Sequence, residues 1–390
     1  MTISKNATIT LNLYDSLVRT GNFIRSYSSY GSLSAYSQEK RSLGGYYSMA
    51  FTPIEPFNRL SDWILFGLDR HVEVKDQKLS VIWEGFVNQI TATFGPLEFS
   101  IGPMVDTRTR SKVVFSPIDT SVDPPASGAR TSTAFSSDAN AVARYGISDY
   151  IESLSNATTA QTALDARSKV LLTKAFPQTS RDSSLQPGDF SIEIECLGYW
   201  HKLDTYIYNA STSGDQTYRE KILAVLAANP NSGIFSTDYT KIDNPTAEGI
   251  FAYEDKDRTA MDIITEIVGL GDSSFNRYVA GFGSGRRFYY NAIPEDYQYR
   301  QRLVGSPDVR DRQQGDIDPY DIEPGRWIFY PDLVTGQALP RSLNDLRGDL
   351  RTGFIETVEY SIPNDLSING VKVNTLDQFL AKVGLKAEGV

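Results

Sequence analysis

The sequence contains one cysteine, Cys196, in 390 residues. No intrachain disulfide can staple it, which excludes a small disulfide-built scaffold. Histidine is almost as scarce: only His71 and His201 occur. No His/Cys cluster at metal-ligand spacing surrounds either one, and Cys196 has no cysteine partner, so no transition-metal site is expected. Each histidine is read as a half-exposed residue in or beside a strand. No run of about 18 apolar residues is present, so no transmembrane helix is expected. Met1–Leu13 alternates Thr, Ile and Leu without a continuous apolar stretch, which argues against a secretory signal. Positive charge is in deficit, with 38 Lys and Arg against 48 Asp and Glu, a net charge of −10. Nucleic-acid phosphates are gripped by Lys and Arg that displace counterions, so this balance disfavours sequence-independent binding. It suits a surface that nucleic acid slides past. The resulting expectation is a soluble protein folded in a reducing cytoplasm.

Catalytic signatures are missing too. No Gly-x-Ser-x-Gly elbow precedes a helix; Gly281-Phe282-Gly283-Ser284-Gly285 has the wrong spacing and leads into a strand. The same string lacks the Lys-Ser/Thr of a phosphate loop and reads as a hairpin turn. Paired carboxylates are the one enzymatic possibility. Glu193 and Glu195 share a strand face, Glu356 and Glu359 fall on opposite faces, and Asp316 and Asp318 lie in an acidic loop. Strand glutamates at period two more often form a solvated face. No catalytic, cofactor-binding or metal-binding residue is assigned, and the chain is read as a non-enzyme.

What the chain does have is Tyr (22) and Phe (19) in quantity, with much Ser and Thr, a mixture that favours half-buried pleated surfaces. The expected fold class is α+β, mainly β. Residues 1–45, rich in Ser, Tyr and Gly, read as an arm that orders against a partner or as a flexible terminus. Residues 46–210 form a first small β-barrel with an inserted helix-containing segment at about 116–180. Its marks are a strand at Tyr47–Phe51, a short helix ended by Gly67, and a hairpin from His71–Lys75 and Leu79–Val87. Strands follow around Glu98–Ile101 and Lys112–Phe115, and a capped helix spans Thr158–Ala175. Pro187-Gly188 then leads into a strand with Phe190, Ile192, Ile194 and Cys196 on one face.

Residues 211–300 read as an α+β domain, with helices at Tyr218–Ala228 and from about Asp257 to Val268 and a hairpin over Tyr278–Ile293. Residues 301–372 read as a second barrel-like segment. There Pro324-Gly325 repeats the Pro-Gly-to-strand device, and Phe354–Tyr360 is a further strand. Residues 373–390 end in a helix, with Asn374–Val383 as its core.

The order of these landmarks resembles the tail-hub family of minor tail proteins from long-tailed bacteriophages, related in architecture to contractile-tail baseplate hubs. The resemblance runs over roughly residues 45–385. It is carried by Trp83-Glu84-Gly85 in an alternating strand, Arg144-Tyr145-Gly146-Ile147 before an Ala-rich helix, and Leu185-Gln186-Pro187-Gly188-Asp189. Gly198-Tyr199-Trp200-His201, the helix Arg258–Val268 before Gly269-Leu270-Gly271-Asp272, and Glu323-Pro324-Gly325-Arg326 complete it. The resemblance implies two hub-type barrels per chain in a homotrimeric ring at the tail tip, mimicking six-fold tube symmetry. It also implies the partners: the tail tube and distal tail protein on one side, and the fibre or spike on the other. The tape-measure protein and later DNA would occupy the lumen, with DNA in transit only and no membrane insertion. The implied location is the virion tail, assembled in the host cytoplasm. The alternatives are a hexameric distal tail ring protein and a tail-associated carbohydrate-degrading enzyme.

Overall fold

The computed structural model describes residues 8–17, 21–94, 97–102, 110–116, 118–119, 126–127, 131–137, 139, 142, 147–154, 178–182, 190–211, 216–229, 233–245, 249–250, 254–272, 276–294, 296–301, 309–311, 315–331, 352–362 and 365–371. The expected helices at Thr158–Ala175 and Asn374–Val383, the Pro187-Gly188 turn and Arg144–Gly146 lie outside these residues.

The chain opens with β1 (Thr10–Tyr14), β2 (Phe23–Ser28), β3 (Leu33–Arg41) and β4 (Leu43–Pro53). Helix α1 (Leu60–Phe66) follows, then β5 (His71–Lys75), β6 (Val81–Phe94) and β7 (Leu97–Gly102). Further on come β8 (Arg110–Phe115), β9 (Asp149–Leu154), β10 (Gln178–Asp182) and β11 (Ser191–Gly198). Antiparallel ladders run in the order β2-β1-β5-β6-β11-β4-β3. This sheet curls around one core containing Leu11, Phe51, Val74, Trp83 and Ile194, with α1 packing Leu60 and Trp63 into it. Among the described residues no ladder joins β2 to β3.

Thr10–Tyr14, Phe23–Ser28 and Leu33–Arg41 are strands of this sheet rather than parts of an arm. Ile9, Leu11 and Leu13 alternate with polar residues and are all 0% exposed. An arm would leave these aliphatic side chains in water, at roughly 1.5–3 kcal/mol each relative to burial. The curled sheet begins near residue 9, well before residue 46.

The middle of the chain supplies β12 (Ile207–Ser211), α2 (Tyr218–Ala227), β13 (Glu254–Thr259) and α3 (Ala260–Leu270). The hairpin of β14 (Tyr278–Gly283) and β15 (Arg287–Ala292) follows, as the glycine-rich turn predicts. Helix α3 starts later than expected. Thr259 accepts from the backbone N–H of Asp262, whose side chain caps Thr259 in return, so the helix begins after Thr259 and the preceding residues pair with β12. A second core joins Tyr199, Trp200, Ile222, Ile263, Phe282 and Phe288. It meets the first sheet where β14 pairs in parallel with β4, opposite Leu43, Gly44 and Gly45.

The C-terminal part contributes β16 (Tyr299–Gln301), β17 (Val309–Asp311), β18 (Gly315–Asp316), β19 (Trp327–Phe329), β20 (Thr352–Ile362) and β21 (Asp365–Val371). At the Pro324-Gly325 turn, Gly325 adopts φ 79°, a conformation that favours glycine, and its N–H donates to Ile355 O at 2.8 Å. Strand β20 pairs with β21 and also with both β19 and β3. Its first residues pair with β19, and Thr357–Ile362 pair with β3, with a bulge between Ile355 and Thr357. The segment expected as a separate second barrel thus extends the first sheet, giving a 17-stranded network. The turn at Pro319–Asp321 inserts Tyr320 into the first core, where Lys40 Nζ donates to its carbonyl.

Candidate functional site

The solvent side of β20, β3, β4, β11 and β6 is built by simple alternation. On β11 the even positions Ile192, Ile194 and Cys196 point into the core, so Glu193 and Glu195 point out. Register then lines up residues from distant parts of the chain. One row reads Ser361, Ser37, Ala50, Glu195, Gln89 across five strands. The next reads Ser367, Glu359, Glu39, Ser48, Leu197, beginning on β21. Beyond Glu195, Glu193 pairs with Thr91, whose hydroxyl lies 3.1 Å from that of Ser100. A trough of about 500 Å³ lies over the first two rows, lined by Ser37, Glu39, Ser48, Glu195, Glu359 and Ser361 among others.

The electrostatics of this face are one-sided. Glu39 and Glu359 stand opposite each other, an arrangement that repels unless a cation intervenes. Arg41 Nε donates to Glu39 at 2.6 Å, Ser48 Oγ donates to the other oxygen at 2.8 Å, and the Arg41 guanidinium lies 3.5 Å over the Tyr47 ring. Glu193, Glu195 and Glu359 are exposed and make no salt bridge among the described residues, while the Arg41 charge reaches Glu359. Glu356 lies at the bulge of β20 and accepts from Ser42 Oγ at 2.8 Å. Of the Glu193/Glu195 pair, both exposed on the outer sheet face, Glu195 lines the trough.

Both histidines are more enclosed than expected. His71 is 6% exposed, with Nδ1 3.0 Å from Gly85 O and 2.8 Å from the Tyr199 hydroxyl. Burial, and then the neighbouring Arg286 charge, hold its pKa down to about 3. His201 lies in the 3-10 turn Tyr199–Thr205 with its ring 4.5 Å from Tyr47, and burial lowers its pKa to about 4. Both are therefore neutral at pH 7. Among the described residues no group of three or more His, Cys, Asp or Glu is arranged to hold a metal ion.

A second polar constellation was not anticipated as a site. Glu84, 4% exposed on β6, accepts from the backbone N–H groups of Gly285 and Arg286 at the β14–β15 turn. Arg286, at φ 56°, directs its guanidinium to Leu17 O and over the Tyr199 ring. Tyr14 OH donates to Glu73 at 2.9 Å beside a cavity of about 180 Å³. Burial raises Glu84 to about 7, against the opposing influence of Arg286 and the two backbone donors. The sequence signal was a glutamate inside the apolar run around Trp83. The cluster joins β1, β6 and the β14–β15 turn.

No family model matches the chain, and no curated protein does. Among solved structures, the E. coli c3393 protein aligns over 88% of this chain and 74% of its own, with TM-score 0.41 and 8% identity. That protein is described as a type VI secretion system component structurally similar to the T4 bacteriophage tail proteins gp27 and gp5. A 43 kDa tail protein of prophage MuSo2 from Shewanella oneidensis aligns over 96% of this chain and 98% of its own, with TM-score 0.44 and 6% identity.

Proposed function

We propose that the chain is a structural subunit of a bacteriophage tail tip, the central hub that links the tail tube to the distal fibre or spike. In this reading it forms a homotrimeric ring, and the sheet face of β20, β3, β4, β11 and β6 lines the channel. The observation that carries the reading is the outer sheet face on which Glu193, Glu195 and Glu359 are exposed and make no salt bridge among the described residues. Anionic, hydroxyl-rich walls repel phosphates and let DNA pass without binding. The order of sequence landmarks supports the same assignment. Tail tube, distal tail protein, tape-measure protein and fibre or spike are the partners that follow from it.

The test is the architecture of the purified chain by electron microscopy, combined with a DNA-binding assay. A three-fold ring that does not retain duplex DNA at physiological salt is expected. A six-fold ring would favour the distal ring protein. A monomer that cleaves polysaccharide, with activity abolished by Glu193→Gln or Glu195→Gln, would establish the enzyme instead.

A further inference from the structure

We propose that Glu84 and Arg286 form a proton-operated switch, in which loss of the Glu84 proton draws the Arg286 guanidinium off the Leu17 carbonyl. The chain after β1 is thereby released from the second core. The switch lies at a joint within one chain and stands apart from the tail-tip reading. Glu84, on β6 of the first sheet, accepts from the backbone N–H groups of Gly285 and Arg286 at the β14–β15 turn. Arg286 reaches further: Nη1 donates to Leu17 O and, at 3.4 Å, to Ile234 O. Leu17 packs against the second core and Ile234 lies within it. One side chain thus fastens the chain after β1 to that core.

The two side chains are neighbours without being partners. Glu84 is 4% exposed and Arg286 5% exposed. Among the described residues they form no salt bridge, and the guanidinium lies 4.9 Å from the centre of the Tyr199 ring instead. A buried guanidinium that bonds neutral carbonyls forgoes the stronger, charge-assisted bonds that a carboxylate offers. Arg286 also holds a left-handed backbone at φ 56°, and such conformations in residues other than glycine collect at switch regions. A cavity of about 180 Å³, lined by Glu84, Arg286 and Gly21 among others, gives the side chain room to turn.

Around this cavity, Glu84 is placed to change charge near neutrality. Burial raises its pKa to about 7; Glu73 acts in the same direction, and Arg286 and the two backbone donors act against it. On β5, burial holds His71 down to about 3, and Glu73 is engaged by Tyr14 OH and by Lys75 at 3.2 Å. Burial raises the Tyr14 hydroxyl on β1 to about 12 and pushes Tyr46 on β4 and Tyr199 up as well. Asp69, beyond Tyr199, is bridged to Lys202 at 2.8 Å. Below about pH 7 Glu84 is neutral, and Arg286 keeps its two carbonyls. Above it, a buried carboxylate without a counter-ion is costly, and pairing with the adjacent guanidinium relieves that cost. The proton leaves to solvent, and Leu17 O loses its donor.

Hydrogen exchange of the full chain, followed by mass spectrometry at pH 6 and pH 8 and corrected for the intrinsic pH dependence of exchange, reads the switch. Amides of Leu11–Leu17 are expected to lose about tenfold in protection at pH 8, the size of one hydrogen bond to a charged group. The Gly285 and Arg286 amides should gain protection, because their bonds to Glu84 become charge-assisted. Thr352–Ile362 on β20 should not change. Glu84→Gln, which cannot ionise, should abolish the difference between the two pH values. Arg286→Met, which has no guanidinium to move, should leave Leu11–Leu17 equally and weakly protected at both. Thermal unfolding checks that each variant folds, and either variant alone suffices. Equal protection of Leu11–Leu17 at the two pH values in the unmodified chain would overturn the proposal. So would a loss shared with Thr352–Ile362, or a pH dependence that survives in either variant.

Discussion

Glu84 is a carboxylate held away from water within the apolar run Val81–Val87 of β6, and burial raises its pKa to about 7. A carboxylate whose folded pKa lies above its ordinary value stabilises the fold most below that ordinary value. The contribution is lost as pH rises through about 7. His71 works in the opposite direction. Its pKa is held down to about 3, so its contribution is present above the ordinary histidine value of 6.5 and is lost as pH falls toward 3. From pH 8 down to 6.5 the folded protein takes up a proton at Glu84, while the unfolded chain begins to take up protons at His71 and His201, whose folded values stay at about 3 and about 4. The two effects oppose each other, so thermal melts should change little across that range. Glu84→Gln removes the stabilising uptake and preserves the fold, because the amide oxygen still accepts from Gly285 or Arg286, so the variant's stability should fall as pH falls. A variant whose stability stays as flat as that of the unmodified chain would show that Glu84 is not the group that titrates. His71→Phe should cost about 1–3 kcal/mol in urea unfolding at pH 7.5, since it leaves the Gly85 carbonyl and Tyr199 hydroxyl without their shared partner.

Close backbone approaches at the element scale explain why certain glycines cannot be replaced. Gly45 sits where β4 meets β14, at φ 73°, and a Cβ there would overlap the Phe282 carbonyl. Gly198 ends β11 against the Tyr46 carbonyl, with no room for a methyl group. Gly285 has φ 75° but open space around it. Gly45→Ala and Gly198→Ala should therefore each lose more than about 3 kcal/mol of stability or fail to fold. Gly285→Ala should cost only about 1 kcal/mol, the cost of the left-handed backbone alone. Comparing soluble yield and denaturant midpoints of the three variants checks this ordering. Thr259→Ala, which removes the α3 cap, should cost about 1 kcal/mol in the same assay. Strands with one apolar face were readable in the sequence for a physical reason. The run to Cys196 follows period two against a core, whereas the strand around Phe354–Tyr360 departs from it at its bulge. β3 was not readable, because two of its buried positions are polar. Gln38 accepts from Tyr36 OH, and Lys40 donates to the carbonyl of Tyr320, 280 residues away. No local pattern announces partners so distant.

Long-range pairing at the scale of the whole molecule makes the sheet face a single surface. Glu195 was readable as a strand-face carboxylate. Its meeting with Glu39 and Glu359 depends on β20 reaching β3 and on β3 pairing with β4, and sequence alone carried no sign of those registers. The two Pro-Gly turns suggested two separate barrels. Instead β20 passes from β19 to β3 across its bulge and fuses the C-terminal strands to the first sheet. Disturbing that passage should affect both parts together, so chemical denaturation is expected to show the Tyr320 and Trp327 environments melting in one transition. Two separated transitions would show instead that the parts are independent. The central claim concerns what the joined surface faces. Three-dimensional reconstruction of the purified chain by cryo-electron microscopy tests it most directly. The account predicts a three-fold ring with Glu193, Glu195 and Glu359 on the inner wall of its channel; a chain that stays monomeric, or a ring that turns this face outward, would contradict it.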